Sequence, residues 1–159
     1  TKKRYNDWGH SLRDLGIKEA KGEWIVHLSI DNTMFDSSLQ NLLNAMEINE
    51  KFAKENNYPP ETKKSFDIII APLIMEGCIR RPEDLSLTRT KDPAHLLVLD
   101  GYPPNLGNVD LFQFVAKRDL WIREGGWYDK RETGDGYMIQ EFTRKYGCTY
   151  CNEVIGIHR

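Results

Sequence analysis

An α/β layer architecture is the fold class this sequence predicts, and three observations point to it. Helical and strand-like segments alternate along the chain with turn chemistry between them, the pattern of sheets covered by helices. One run, Glu23–Ile30, is too continuously apolar for a one-sided strand and belongs inside such layers, and Phe66–Met75 is a second hydrophobic strand candidate. The chain has 159 residues, 40% hydrophobic and 29% charged, which suits one domain with its own core and excludes collagen-like, disordered and disulfide-scaffold classes. Residues 1–159 are therefore expected to form a single domain.

Each element has a local cause. Ser11–Ala20 carries Leu12 and Leu15 on one side and stops at Lys21-Gly22, a short helix with a glycine terminator. Glu23–Ile30 is expected to be a buried central strand that empties into the polar Asp31-Asn32-Thr33. Leu39, Leu42, Leu43 and Met46 then recur at helical spacing behind Asp36–Ser38, which offers a cap. This gives a helix over Phe35–Lys54, broken by Tyr58-Pro59-Pro60. Phe66–Met75 is a second strand whose Pro72 marks an edge or bulge.

From Glu76 to Pro93 no period survives, and a surface excursion is expected. His95–Leu99 is a short strand, Asp100–Asn105 is turn chemistry, and Asn108–Ala116 is strand-like. A brief helix over Arg118–Arg123 stops at Gly125-Gly126, and a helix over Tyr137–Lys145 precedes a last strand over Thr149–Ile157.

Charge and cysteine usage narrow the function. A net charge of −2 supplies no global attraction for nucleic acid or anionic lipid. The longest apolar stretch, Ile68–Met75, falls far short of the ~20 residues that span a bilayer, so no transmembrane segment is expected. Three cysteines fit a reducing, cytoplasmic setting better than a disulfide framework. Cys148-Thr-Tyr-Cys151 has the C-x-x-C spacing of redox and zinc sites. With no second such pair and no helix opening at the first cysteine, it is taken as inert thiols.

Three clusters could carry chemistry. Asp31, beside Asn32 at the end of a strand, is either an oxygen ligand for Mg²⁺ or Mn²⁺ or the cap of the following helix. The loop Gly125–Gly136 holds Trp127, Tyr128, Asp129, Glu132 and Asp135. Either its aromatics stack on a sugar while a carboxylate accepts a proton, or it is a solvated loop around a buried Trp. His158, in the last strand, is a surface histidine or a metal ligand.

Taken in order, these clusters resemble the family 2-like glycosyltransferases of the GT-A fold. Gly9 to Ile25, with Arg13, Gly16-Ile17 and Ala20-Lys21-Gly22-Glu23-Trp24-Ile25, resembles their G-x-x-x-A-R-N-x-G-I-x-x-A-K-G-E-Y-I segment. Leu28-Ser29-Ile30-Asp31-Asn32 stands where they have L-D-x-D-D, and Gly125-Gly126-Trp127-Tyr128-Asp129 where they have G-G-F-D-E. Gly134-Asp135-Gly136 falls at their G-E-D.

The resemblance implies a GT-A-like mixed sheet flanked by helices and transfer of a sugar from a nucleotide-diphosphate donor to an acceptor hydroxyl, with inversion. Arg13, Asp31 and Asn32 would meet the donor, and Asp31 and His158 would hold Mn²⁺ or Mg²⁺. Asp135 would be the general base, with Glu132 as fallback, and Trp127 and Tyr128 would shape the acceptor pocket. Ser29 and Asn32 thin the metal motif, and Gly136 stands at the second acidic position of the G-E-D site. Family members also carry, before the Arg13 segment, roughly half a nucleotide-binding domain. The opening Thr1-Lys2-Lys3-Arg4 shows no such start, so an N-terminally truncated domain is expected, with exposed strand edges that invite homo-oligomers. Two further functions compete with transfer: a non-catalytic carbohydrate-binding or interaction module on the same fold, and a nucleotidyltransferase, which would need a Gly-rich phosphate loop at its start.

Overall fold

The computed structural model describes residues 7–57, 64–84 and 86–159; the helix break expected at Tyr58-Pro59-Pro60 lies outside them. In chain order the elements are α1 (His10–Glu19), β1 (Trp24–Val26), β2 (Asn32–Met34), α2 (Ser38–Glu55), β3 (Ile68–Ile70), β4 (Leu73–Glu76), β5 (Cys78–Arg80), β6 (Leu87–Arg89) and β7 (Leu96–Leu99). There follow β8 (Phe114–Lys117), α3 (Arg118–Arg123), α4 (Gly134–Tyr146), β9 (Thr149–Tyr150) and β10 (Gly156–His158). The fold is mixed α/β.

One sheet has the order β1-β8-β3-β9, with β9 parallel to β3 and the other pairs antiparallel. Its side chains alternate between two cores, as the two-residue period of a strand requires. Ile68, Ile70, Phe114 and Ala116 pack with Ile17 of α1, Leu120 and Trp121 of α3, and Met138, Ile139 and Phe142 of α4. Ile69 and Val115 face the other way, onto Leu42 and Met46 of α2. Burial on both faces explains why the three consecutive isoleucines are each 0% exposed.

A second sheet, β2-β10-β4-β7, joins the second core through Leu73, Met75 and Leu99. The Phe66–Met75 run is therefore two strands in two sheets. Ala71-Pro72 is the crossing point, where a residue without an N–H costs the ladder nothing.

Four other expectations change. β1 pairs on one side only, with β8, among the described residues, so it is an edge strand and not a central one. It is also short, because Leu28 and Ile30 are exposed instead of buried. The aperiodic run after Glu76 contains the hairpin β5/β6. Asn108–Ala116 begins as a capped 3-10 turn over Leu111–Gln113 before β8, and Thr149–Ile157 divides into β9 and β10.

Helix α2 starts at Ser38 with no side-chain cap; the Ser38 hydroxyl donates to the Ile155 carbonyl and pins the helix to the approach to β10. Helix α4 begins three residues before Tyr137, at Gly134, where an added Cβ would lie 3.0 Å from the Asp129 carbonyl oxygen. No helix among the described residues is long and apolar enough to cross a membrane.

Candidate functional site

Strand register builds the centre of the site. In the antiparallel pair β2/β10, His158 lies directly opposite Asn32. Their side chains meet, with Asn32 Nδ2 3.0 Å from His158 Nδ1, while Asn32 Oδ1 accepts from the Ser29 N–H at 2.9 Å. Asp31 precedes β2, and its carbonyl accepts the Arg159 N–H at 2.9 Å. The Asp31 carboxylate, half exposed, thereby lies 3.9 Å from His158 Nε2.

Asp110 closes the other side of the imidazole, its Oδ2 3.8 Å from Nδ1. A capping box holds it: Asp110 Oδ1 accepts the Phe112 N–H at 2.9 Å, and the Asp110 N–H donates to Gln113 Oε1 at 2.9 Å. Gln113 is fully buried and donates to the Leu99 carbonyl at 2.7 Å, so the box is anchored in the second sheet. Burial pushes the Asp110 carboxyl above the usual carboxylate range, and the charges of Asp135 and Asp31 add to that push. The Phe112 N–H and His158 oppose it.

Asp31 before β2 and Asp110 before β8 therefore flank His158 at the end of β10, and the charge of Asp135, in the first turn of α4, reaches Asp110. Asp31, His158 and Asp135 are the residues singled out by sequence. Asp110 is a fourth that sequence reasoning passed over. Its one signal, an Asp followed three residues later by Gln, announces a cap and says nothing about chemistry.

Arg89, at the end of β6, completes the arrangement by donating from Nη2 to His158 Nε2 at 2.6 Å. A guanidinium keeps its protons, so in this contact Nε2 is the acceptor. A divalent cation at this histidine would need the Nε2 lone pair that Arg89 already engages. Among the described residues, no group of three or more His, Cys, Asp or Glu side chains is placed to hold a metal. The expected Mn²⁺ or Mg²⁺ therefore does not fit the Asp31/His158 pair as the side chains stand.

The other expected residues lie elsewhere. Trp127 is 1% exposed, stacked on Trp121 with 5.6 Å between centroids and on His10 with 5.2 Å. The aromatic loop thus surrounds a buried Trp, and the expectation of Trp127 in an acceptor pocket is corrected. Gly126 makes this burial possible: its φ of +77° and the approach of the Asp14 carboxylate, which accepts the Trp127 N–H at 2.9 Å, leave no room for a side chain. Tyr128 is half exposed and its hydroxyl donates to Glu141. Burial and that carboxylate push its ionisation well up. Glu132 is exposed and enters none of the described interactions of the cluster.

Arg13 is likewise outside the cluster. Its Nη1 donates to the Trp8 carbonyl and to His10 Nδ1, each at 3.0 Å, and its guanidinium lies over the Trp127 ring. It lines a cleft of about 290 Å³ along α1 and β1, together with Trp24 and His27. Cys78, Cys148 and Cys151 are free thiols, and burial pushes that of Cys148 up.

No protein-family model matches the chain, and no curated protein matches its sequence. What it can do is carried by its own side chains. Beside the cluster lies a cleft of about 780 Å³ whose lining includes Arg80, Asp100, Tyr102, Asn105, Leu106 and Asn108. Leu106 also packs over Gly136, next to Asp135. This volume is within the range of small-molecule sites, and its hydroxyl, amide and carboxylate groups beside an exposed ring suit a polyol better than an apolar ligand.

Proposed function

We propose that the chain is a GT-A-like glycosyltransferase domain, moving a sugar from a nucleotide-diphosphate donor to an acceptor hydroxyl. The observation that carries this is that Asp31 and His158, both chosen by sequence resemblance and more than a hundred positions apart, meet beside Asp110, while the charge of Asp135 acts on the same Asp110 carboxyl. Asp31 and Asn32 would meet the donor. Asp135 would be the base: as the acceptor oxygen attacks the anomeric carbon, its proton passes to the Asp135 carboxylate. The bond from that carbon to the diphosphate oxygen breaks with its electron pair, giving inversion in one displacement. The 780 Å³ cleft, reached from Asp135 across Gly136 and Leu106, would seat the acceptor.

The test is hydrolysis or transfer from a panel of nucleotide-sugars, measured for the wild-type chain and for Asp31→Ala. Turnover of at least one donor, weakened in the variant, is the expected result. A panel with no turnover, or turnover indifferent to Asp31, would remove the proposal.

A second function, sugar binding without transfer, is favoured by the same cleft, since its lining needs no catalytic group to hold a carbohydrate. Calorimetric binding of an oligosaccharide with no response to any nucleotide would select it.

A further inference from the structure

We propose that Arg89 is the resident cation of the site, binding the donor diphosphate directly and supplying the positive charge that a divalent ion would bring. This rests on the transferase function proposed above and adds how the leaving group is neutralised. The starting point is the 2.6 Å contact from Arg89 Nη2 to His158 Nε2, which puts a permanent monocation on the nitrogen that faces Asp31.

The strand that carries the guanidinium is fixed by the hairpin. Arg89 lies opposite Cys78 in the β5/β6 hairpin, and Cys78 is 1% exposed in the second core. The next residue, Thr90, donates its N–H to the Gly77 carbonyl at 2.6 Å, closing the hairpin beyond Arg89. Leu87 shares a strand face with Arg89 by the two-residue period and lines the 780 Å³ cleft, so that face of β6 borders the space where the substrates would meet.

Its remaining capacity suits a phosphate. A guanidinium has five N–H donors in a planar fork, and His158 uses one. Among the described residues Arg89 makes no ion pair with a carboxylate, and the residue is exposed. Charge and donors are thus open to solvent on a strand whose Leu87 lines the cleft, and a guanidinium so placed suits bidentate phosphate recognition. During transfer, the electron pair of the breaking bond from sugar carbon to phosphate oxygen accumulates on the diphosphate, and Arg89 offsets that charge. His158 orients the fork by accepting one N–H, with Asp110 on its Nδ1 side.

Calorimetric titration of the chain with uridine, guanosine, adenosine and cytidine diphosphates, first in EDTA and then with Mn²⁺, tests this against Arg89→Met and Arg89→Lys. The expected result is binding of at least one diphosphate in EDTA, altered less than about threefold by Mn²⁺. Arg89→Met should weaken it by about 10- to 100-fold, the usual cost of losing a charged hydrogen-bond partner. Arg89→Lys should fall between, since it keeps the charge and loses the fork. Thermal denaturation of both variants at the wild-type temperature confirms that the exposed side chain was removed without harm to the fold. Binding that requires Mn²⁺ and is equal in Arg89→Met would overturn the role of Arg89 and leave the transferase standing. Absence of diphosphate binding with or without Mn²⁺ would overturn both.

Discussion

Asp110 and His158 face each other across 3.8 Å, carboxylate Oδ2 to imidazole Nδ1, although 48 positions separate them. Asp110 is at once a structural cap and a carboxyl whose ionisation is opposed by its surroundings. Its carboxyl is pushed up in the folded state, first by burial and then by Asp135 and Asp31. A carboxyl raised on folding favours the native state when protonated, and this benefit is lost as pH rises through the raised value. At neutral pH the ionised Asp110 therefore costs stability.

Asp110→Asn keeps an oxygen for the Phe112 N–H and removes the charge, so it should melt at higher temperature than wild type at pH 7. The advantage should vanish below about pH 4, where both folded and unfolded carboxyls are neutral. Asp110→Ala also loses the cap and should fall below Asp110→Asn by about 1 kcal/mol. Thermal denaturation from pH 3 to 8 reads both. An Asn variant less stable than wild type at pH 7 would show that the charge, not its absence, supports the fold.

His27 should govern the acid side of the stability profile. It sits edge-on to Trp121 and Trp127, and its Nε2 has no hydrogen-bond partner among the described residues. Burial, helped by the nearby Arg13 charge, lowers its ionisation from 6.5 to about 4. A histidine depressed on folding contributes stability that is complete above the unfolded value and lost as pH falls toward the folded one. Between pH 6.5 and 4 the chain should lose on the order of 3 kcal/mol from this residue. His27→Phe should flatten that slope in urea titrations, and an unchanged slope would assign it elsewhere.

Trp127 should behave as a core residue. Trp127→Ala leaves a cavity beside Trp121 and His10 and should cost about 3–5 kcal/mol. Tyr128→Phe removes one exposed hydroxyl and should cost well under that. If Trp127→Ala were as stable as wild type while acceptor affinity fell, the indole would have to be at the surface.

Gly136 is closely covered by Leu106. A Cβ there would meet Leu106 Cδ1 at 2.6 Å. Gly136→Ala should gain roughly 0.5–1 kcal/mol of helix preference only after Leu106→Ala has cleared the space. A double-mutant cycle should show at least about 0.5 kcal/mol of coupling, and additive effects would deny the contact.

These residues also show what was legible in the sequence. Helix α3 was readable to the residue because Gly125 and Gly126, both at positive φ, stop it. Asp31, Asp135 and His158 were readable as candidates through the ordered motif resemblance, since each alone has an ordinary turn, loop or surface explanation. Pro72 marked the break between β3 and β4, but composition has no signal for a strand that changes sheets. Asp110 was hidden because His158, which it faces, comes from a distant segment, and Arg89 because the hairpin carrying it lies in a run with no clear period. Trp127 was undecided because burial of a loop aromatic depends on α1, through Asp14, more than a hundred residues away.

The most direct measurement of the transferase account is single-turnover sugar transfer by wild type and Asp135→Asn, with donor affinity measured in parallel. Loss of the base should slow transfer by about 100-fold or more while donor binding changes little. Equal rates in the two proteins would contradict the account, because the proton of the acceptor hydroxyl would then be leaving by a route in which Asp135 has no part.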